Sequence, residues 1–271
     1  MFIRHLLTVG LFSFCVSLIP GYAQVPETGR WQELAYSTAA VNAETADRYH
    51  EHIDALRSHK QLDQDPALLS RIKTIARGLI SAASKLKPES NTWRWEIHIT
   101  SEQQVDAYCM AGGKILIGSE FVRRLKLSNS ELATLLGHEM AHAIAEHHRE
   151  ELSEALHINA QPGDTLDVMM GRLETDISMQ LKLATLSNIQ ESEADQLGMI
   201  LAHMAGWDSA SMVSFFQKLQ RVEANSVPNN SYPSTESRLS MARGFNKLWA
   251  KIESDQKSIV TRRSSATNDQ K

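Results

Sequence analysis

The chain of 271 residues contains two cysteines, Cys15 and Cys109. Cys15 sits inside an apolar N-terminal run, so loss of that run leaves Cys109 without a partner for an internal disulfide. Stability must then come from packing and from any metal the chain binds, not from a covalent framework. Clusters of Lys and Arg are also missing, and the formal net charge is -4. That pattern excludes the basic footprint of a nucleic-acid binder and reads as an ordinary solvated surface. No second apolar stretch is long enough to span a bilayer, and no internal repeat points to a solenoid.

What is present begins with Arg4 and His5, a short basic start, followed by the apolar run 6–19 and by Pro20-Gly21-Tyr22-Ala23. Small residues stand where a cleavage site is expected. The pattern predicts a signal peptide over 1–23, cut after Ala23, and an exported protein resident in a periplasm. A secreted form and an uncleaved membrane anchor are the alternatives. Phe14 ahead of Cys15 fits a lipid-attachment site poorly. The remainder reads as one domain over 24–250, with its core in 70–245, and a polar tail over 251–271 expected to be disordered.

The domain reads as mainly α with a small β-sheet, an α+β class. Residues 32–60 are helical in character. Asp65-Pro66 opens a helix whose apolar residues Leu68, Leu69, Ile72, Ile75, Ala76, Leu79 and Ile80 recur at helical spacing. Alternation over 93–99 predicts a strand, and two shorter strand-like runs, 105–110 and 114–117, flank Ala111-Gly112-Gly113. Everything after about Ser119 is helical in pattern. Ser128 with Glu131 three residues later forms a capping-box signature. Further helices are expected over about 165–186, 189–204 and 209–224, with a short one over 237–249.

The capped helix carries His138-Glu139-Met140-Ala141-His142. Histidines four apart lie on one helix face, so their rings can converge on a single ion. Glu139 falls to the flank of that face, where a carboxylate can take a proton from water and pass it to a departing amine. A catalytic zinc needs a third protein ligand and an open position. Glu191, in Glu191-Ser192-Glu193-Ala194-Asp195, is the candidate, and Asp195 shares its face at i,i+4 and can orient a ligand histidine. Glu193 points away from this face and is expected to be solvated. Gly137, Ala141, Ala143 and Ala145 leave room for close helix packing. His147 and His148 do not continue the spacing and are expected on the surface, as are His50, His52 and His59. His203 carries no assigned role. Met169, Met170 and Met179 suggest either adaptable core packing or a movable cover over a cleft.

These elements together resemble the zinc metallopeptidases that include the CAAX prenyl proteases, HtpX, BepA and LoiP. The match runs over residues 70–245. It rests on Asp106-Ala107-Tyr108 through Gly112-Gly113-Lys114-Ile115, on 137–147, on Glu191 to Asp195 with Gly198, and on Tyr232-Pro233 through Arg238-Leu239. The resemblance implies a zincin-like fold, one Zn2+ per chain held by His138, His142 and Glu191, and Glu139 as the catalytic base. It supports Lys114, Ile115, Leu116 and Ile117 as an edge strand beside the zinc that holds an extended peptide. Arg238 would orient a carboxylate, stabilise developing charge, or form a structural ion pair. Tyr232 stands where many relatives have His, and would donate to an oxyanion or merely pack. The implied partners are polypeptides, unfolded or misassembled exported proteins, with no nucleic acid; peripheral association with a membrane or with outer-membrane assembly machinery is in keeping with this. The implied activity is that of an endopeptidase, the alternative being a chaperone-like zinc protein with little proteolysis.

Overall fold

The computed structural model describes residues 21–223 and 233–268. It opens with two antiparallel strands, β1 (Gly21–Gln24) and β2 (Trp31–Leu34), paired from Gly21 opposite Leu34 to Gln24 opposite Trp31. No strand is expected here from the sequence, and β1 crosses the position anticipated for signal-peptide cleavage. The connecting turn returns through Val25, which is buried in the main core. Helix α1 (Thr38–Ser58) follows, with Ser37 as its cap. Helix α2 (Pro66–Leu86) starts where Asp65-Pro66 predicts: the Asp65 side chain accepts from the Leu68 amide and Pro66 occupies the first turn. Its buried residues Leu68, Ile72, Ile75, Ala76 and Leu79 form the expected stripe.

The sheet comprises β3 (Glu96–Thr100), β4 (Ala107–Met110) and β5 (Lys114–Gly118) in the order β3-β5-β4. β5 runs parallel to β3 and antiparallel to β4. Gly112 and Gly113 turn the chain between β4 and β5 with φ of 74° and 80°, a region that suits glycine. Ile115 and Ile117 face the main core, whereas Leu116 faces Tyr49, Ile53 and Leu56 of α1. A strand covered on both faces is apolar without interruption. This corrects the expectation for Lys114, Ile115, Leu116 and Ile117: all four are buried in the central strand, and the edges are β3 and β4. Lys114 spends its ammonium on the Arg94 carbonyl at 2.7 Å and on Glu96 at 2.6 Å.

The rest is helical: α3 (Ser119–Arg124), α4 (Asn129–Ile144), α5 (His147–Asn159), α6 (Leu166–Thr175), α7 (Ile177–Met204), α8 (Ser209–Glu223) and α9 (Thr235–Asn268). Helix α4 lies buried among α2, α7 and α8. It stops at Ile144 because Glu146 adopts φ 58°, the left-handed region, and the chain turns into α5. Lys87 and Arg149, each 3.1 Å from the Glu146 carboxylate, and Thr38 hold that residue in place. The expected break near 187–188 is absent. It falls instead at Asp176, whose side chain caps α7 by accepting from the Met179 amide. Met169, Met170 and Met179 pack with Val41 and Leu152 in a second cluster, so they are core and not a cover. Helix α9 extends to Asn268, into the segment 251–271 expected to be a disordered tail. That segment is polar, but it has no Gly or Pro after Gly244, and its Lys, Arg, Gln and Ala residues favour helix. Among the described residues no helix is long and apolar enough to cross a membrane.

The capping box on α4 is complete: Glu131 accepts from the Ser128 amide at 2.7 Å, and Ser128 Oγ accepts from the Glu131 amide at 3.3 Å. Glu131 is also paired with Lys218 at 2.7 Å. Burial raises its pKa, but Lys218 and the Ser128 amide outweigh that and leave it below the usual carboxylate range. A depressed pKa adds stability that is fully present above the unfolded value of about 4.3 and is lost as pH falls through the folded value. Glu131→Gln should therefore lower stability at pH 7 by roughly 1 kcal/mol. In chemical denaturation series, its deficit against the unmodified protein should shrink below about pH 4.

Candidate active site

The site is set by how closely α4 and α7 approach. A Cβ built on Gly137 would lie 2.5 Å from the Gly198 carbonyl oxygen, and one on Gly198 would lie 2.5 Å from the His138 amide. Only glycine at both positions permits this contact. It brings His138 and His142 on α4 opposite Glu191 and Asp195 on α7. The two Nε2 atoms of His138 and His142 are 3.3 Å apart. Glu191 places Oε2 3.3 Å from His138 Nε2 and Oε1 3.4 Å from His142 Nε2. One potential ligand atom from each of the three residues lies within 4.8 Å of the others.

Around this cluster the other groups are already committed. His138 Nδ1 is 3.0 Å from Asp195 Oδ1, and Arg238 donates to both oxygens of Asp195, from Nε at 2.7 Å and Nη2 at 2.8 Å. His138, Asp195 and Arg238 are all buried. Burial opposes the charge on Asp195, but His138 and Arg238 outweigh it and hold its pKa below the ordinary value. Glu191 Oε2 is buried and makes no hydrogen bond. Buried lone pairs without a donor cost free energy, and a cation between the two imidazoles and Glu191 would satisfy them. Two nitrogens and a carboxylate oxygen, with space alongside, fit a metal with an open coordination position.

The cluster floors a cleft of about 720 Å³. Glu139 lines the same cleft, as do Ala107, Tyr108, Cys109 and Met110 of the edge strand β4. Desolvation pushes the Glu139 carboxyl up to about 7, with His138 opposing and Glu191 reinforcing the shift. A nearby cation would draw it back down.

A profile of peptidase family M48 matches residues 66–246. The chain belongs to that family. It is 28% identical over 156 residues to the mitochondrial metalloendopeptidase OMA1 of Arabidopsis thaliana, covering 57% of this chain and 32% of that protein. It is 26% identical over 246 residues to the beta-barrel assembly-enhancing protease of Yersinia pestis, covering 83% of this chain and 48% of that protein. With the human metalloendopeptidase OMA1 the identity is 22% over 234 residues, covering 80% of this chain and 44% of that protein. The chain thus spans about half or less of the length of these relatives.

His138, His142 and Glu191, expected to meet from two distant stretches, are brought together, and Glu139 and Asp195 stand beside them. Arg238 clamps the carboxylate that orients His138. Tyr232 lies outside the described residues. Two expectations fail. His147 is buried, not on the surface, with Nδ1 3.0 Å from His142 Nδ1. Glu193 is buried, not solvated: Arg30 donates to it from Nε at 2.9 Å and Nη2 at 2.8 Å, and Thr28 Oγ1 donates at 2.9 Å. Burial works against its charge, but His147, Arg30 and Thr28 prevail and bring its pKa down to about 2. The signal that hides both residues is the turn at Glu146, which no glycine announces. His52 bonds the Tyr108 hydroxyl at 2.9 Å, and His203 stacks on Trp249 with ring centroids 4.2 Å apart.

Gly198→Ala should push α7 away from the His138 backbone. A loss of about 1–3 kcal/mol is expected for such overpacking, together with weaker metal retention on dialysis. Equal stability and equal metal content in the variant would show that the helices are free to move apart.

Proposed function

We propose that this chain is a zinc-dependent endopeptidase acting on extended polypeptides, unfolded or misassembled proteins of an exported compartment. The observation that carries this reading is the convergence of His138, His142 and Glu191 within 4.8 Å at the floor of a cleft that also contains Glu139. Two histidines and one glutamate form a zinc donor set with a position left open. Zinc bound by these residues supplies Lewis acidity, polarising a carbonyl and lowering the pKa of water to about 7.

The remaining chemistry belongs to the chain. Asp195 accepts the Nδ1 proton of His138, leaving the Nε2 lone pair directed into the cluster, and Arg238 keeps Asp195 ionised and aligned. Glu139 accepts a proton from the attacking water and delivers it to the amine of the broken peptide bond. The edge strand β4 offers backbone groups along the cleft, so a substrate can be held as an added strand. Such binding requires an extended segment, which unfolded chains present readily. The names of the relatives, which include metalloendopeptidases and a beta-barrel assembly-enhancing protease, are in keeping with this substrate class and with a role near outer-membrane assembly. Residues 1–23 are read as the export signal. Cleavage after Ala23 would remove most of β1 but leave Val25, Thr28 and Arg30 in the domain.

Glu139→Gln should abolish casein cleavage, a loss of about 100-fold or more, while zinc measured by elemental analysis stays at one per chain. Turnover at the unmodified rate would refute the role given to Glu139. Glu191→Ala should strip the metal under mild dialysis; full retention would exclude Glu191 as a ligand.

A further inference from the structure

His142 is the ligand candidate that touches no carboxylate through its second nitrogen. His138 has Asp195 at Nδ1, whereas His142 has another histidine. The left-handed turn at Glu146 folds the start of α5 back, so that the His147 ring stands edge-on to His142 at 78°, with centroids 5.0 Å apart. Their Nδ1 atoms are 3.0 Å apart.

Proton placement follows from the two ends of this chain of rings. His142 Nε2 faces His138 and Glu191, so a metal there needs the Nε2 lone pair and the proton resides on Nδ1. That N–H can only donate to His147 Nδ1, which must then be the unprotonated nitrogen. The proton of His147 is thereby on Nε2, and Nε2 lies 3.4 Å from Glu193 Oε2, oblique to it, as an electrostatic contact. Glu193 is in turn fixed by Arg30 and Thr28 from the turn between β1 and β2. Arg30 also reaches both oxygens of Glu150, at 2.5 and 2.7 Å, and Gln190 donates to Glu150 at 2.9 Å. The roles from His142 to His147, and from Arg30 and Thr28 to Glu193, are mutually consistent, with His147 meeting Glu193 through charge.

We propose that His147 is a positioning residue for the metal: it accepts the Nδ1 proton of His142, fixes that ring's tautomer and orientation, and is itself aligned by Glu193 under Arg30 and Thr28. The N-terminal hairpin thereby becomes part of the metal site, although it lies outside the segment matched to the family. The inference rests on His142 being a metal ligand. An outer partner of this kind typically changes metal affinity by about 10–100-fold.

The test compares zinc affinity, by competition with a chromophoric chelator, in the full chain and in His147→Asn, His147→Gln and His147→Leu. Melting of each metal-free protein is measured in parallel. Asn places its oxygen where Nδ1 stands and should bind zinc close to the unmodified level. Gln places its polar end where Nε2 stands, and Leu has no acceptor; both should bind about 10–100-fold more weakly. Should Leu not fold, the equally polar Asn and Gln variants decide the matter. Equal affinity across the foldable variants, or Leu outperforming Asn, overturns the proposal and reduces His147 to a space-filling residue. If the unmodified chain itself binds no zinc, the metal site fails, and the relay with it, a result distinct from a site that binds but ignores His147.

Discussion

The contact between the backbones of α4 and α7 at Gly137 and Gly198 governs the rest of the site. Helices normally keep their axes 8–10 Å apart because side chains intervene. Here two glycines remove that spacer beside His138. Gly137 directly precedes His138, while Glu191 and Asp195 precede Gly198 by seven and three residues, all on one stripe of α7. Each helix therefore carries its contact point and its candidate ligands at a fixed interval, and docking one pair of glycines sets the distances among His138, His142 and Glu191 together. Relaxing the contact would move every donor at once.

The second organising feature is the way buried charge is compensated. Helix α7 is acidic on opposite sides. Its inner face presents Glu191 and Asp195 to the imidazoles, with Arg238 of α9 balancing Asp195. Its far face presents Glu193 to Arg30 and His147. An uncompensated carboxylate in either place would destabilise the domain strongly, since a buried charge is tolerated only when paired and hydrogen-bonded. The two arginines come from segments far apart in the chain, Arg30 from the turn before β2 and Arg238 from α9, and both bind carboxylates of the same helix, α7.

Much of this was legible in the residues because the informative patterns are local. Ser128 and Glu131 cap α4 as expected, the i,i+4 spacing of His138 and His142 needs only a helix, and that of Glu191 and Asp195 needs only another. What could not be read depends on which surfaces meet. The run Ile115-Leu116-Ile117 declares a strand, but its place in the centre follows from α1 covering one face and the core covering the other. Glu193 does point away from the face that carries Glu191 and Asp195, as helix geometry requires; the surprise is that α5 and the N-terminal turn lie there instead of water. Glu146 in a left-handed conformation has no sequence mark, since it is held by Lys87, Arg149 and Thr38 rather than permitted by glycine. The break between α6 and α7 falls at Asp176, a single capping residue that the helical pattern across 165–186 conceals.

Arg30 and helix α1 both precede residue 66, where the match to the family begins. An excised core limited to the matched residues would keep His138, His142, Glu191 and Glu139, yet leave Glu150 and Glu193 without their shared guanidinium. It would also uncover Leu116, which α1 shields, and make the sheet sticky on that side. The segment matched by the family profile is thus narrower than the packed domain, and any graft of this side-chain cluster onto another scaffold must bring its N-terminal wrapping with it.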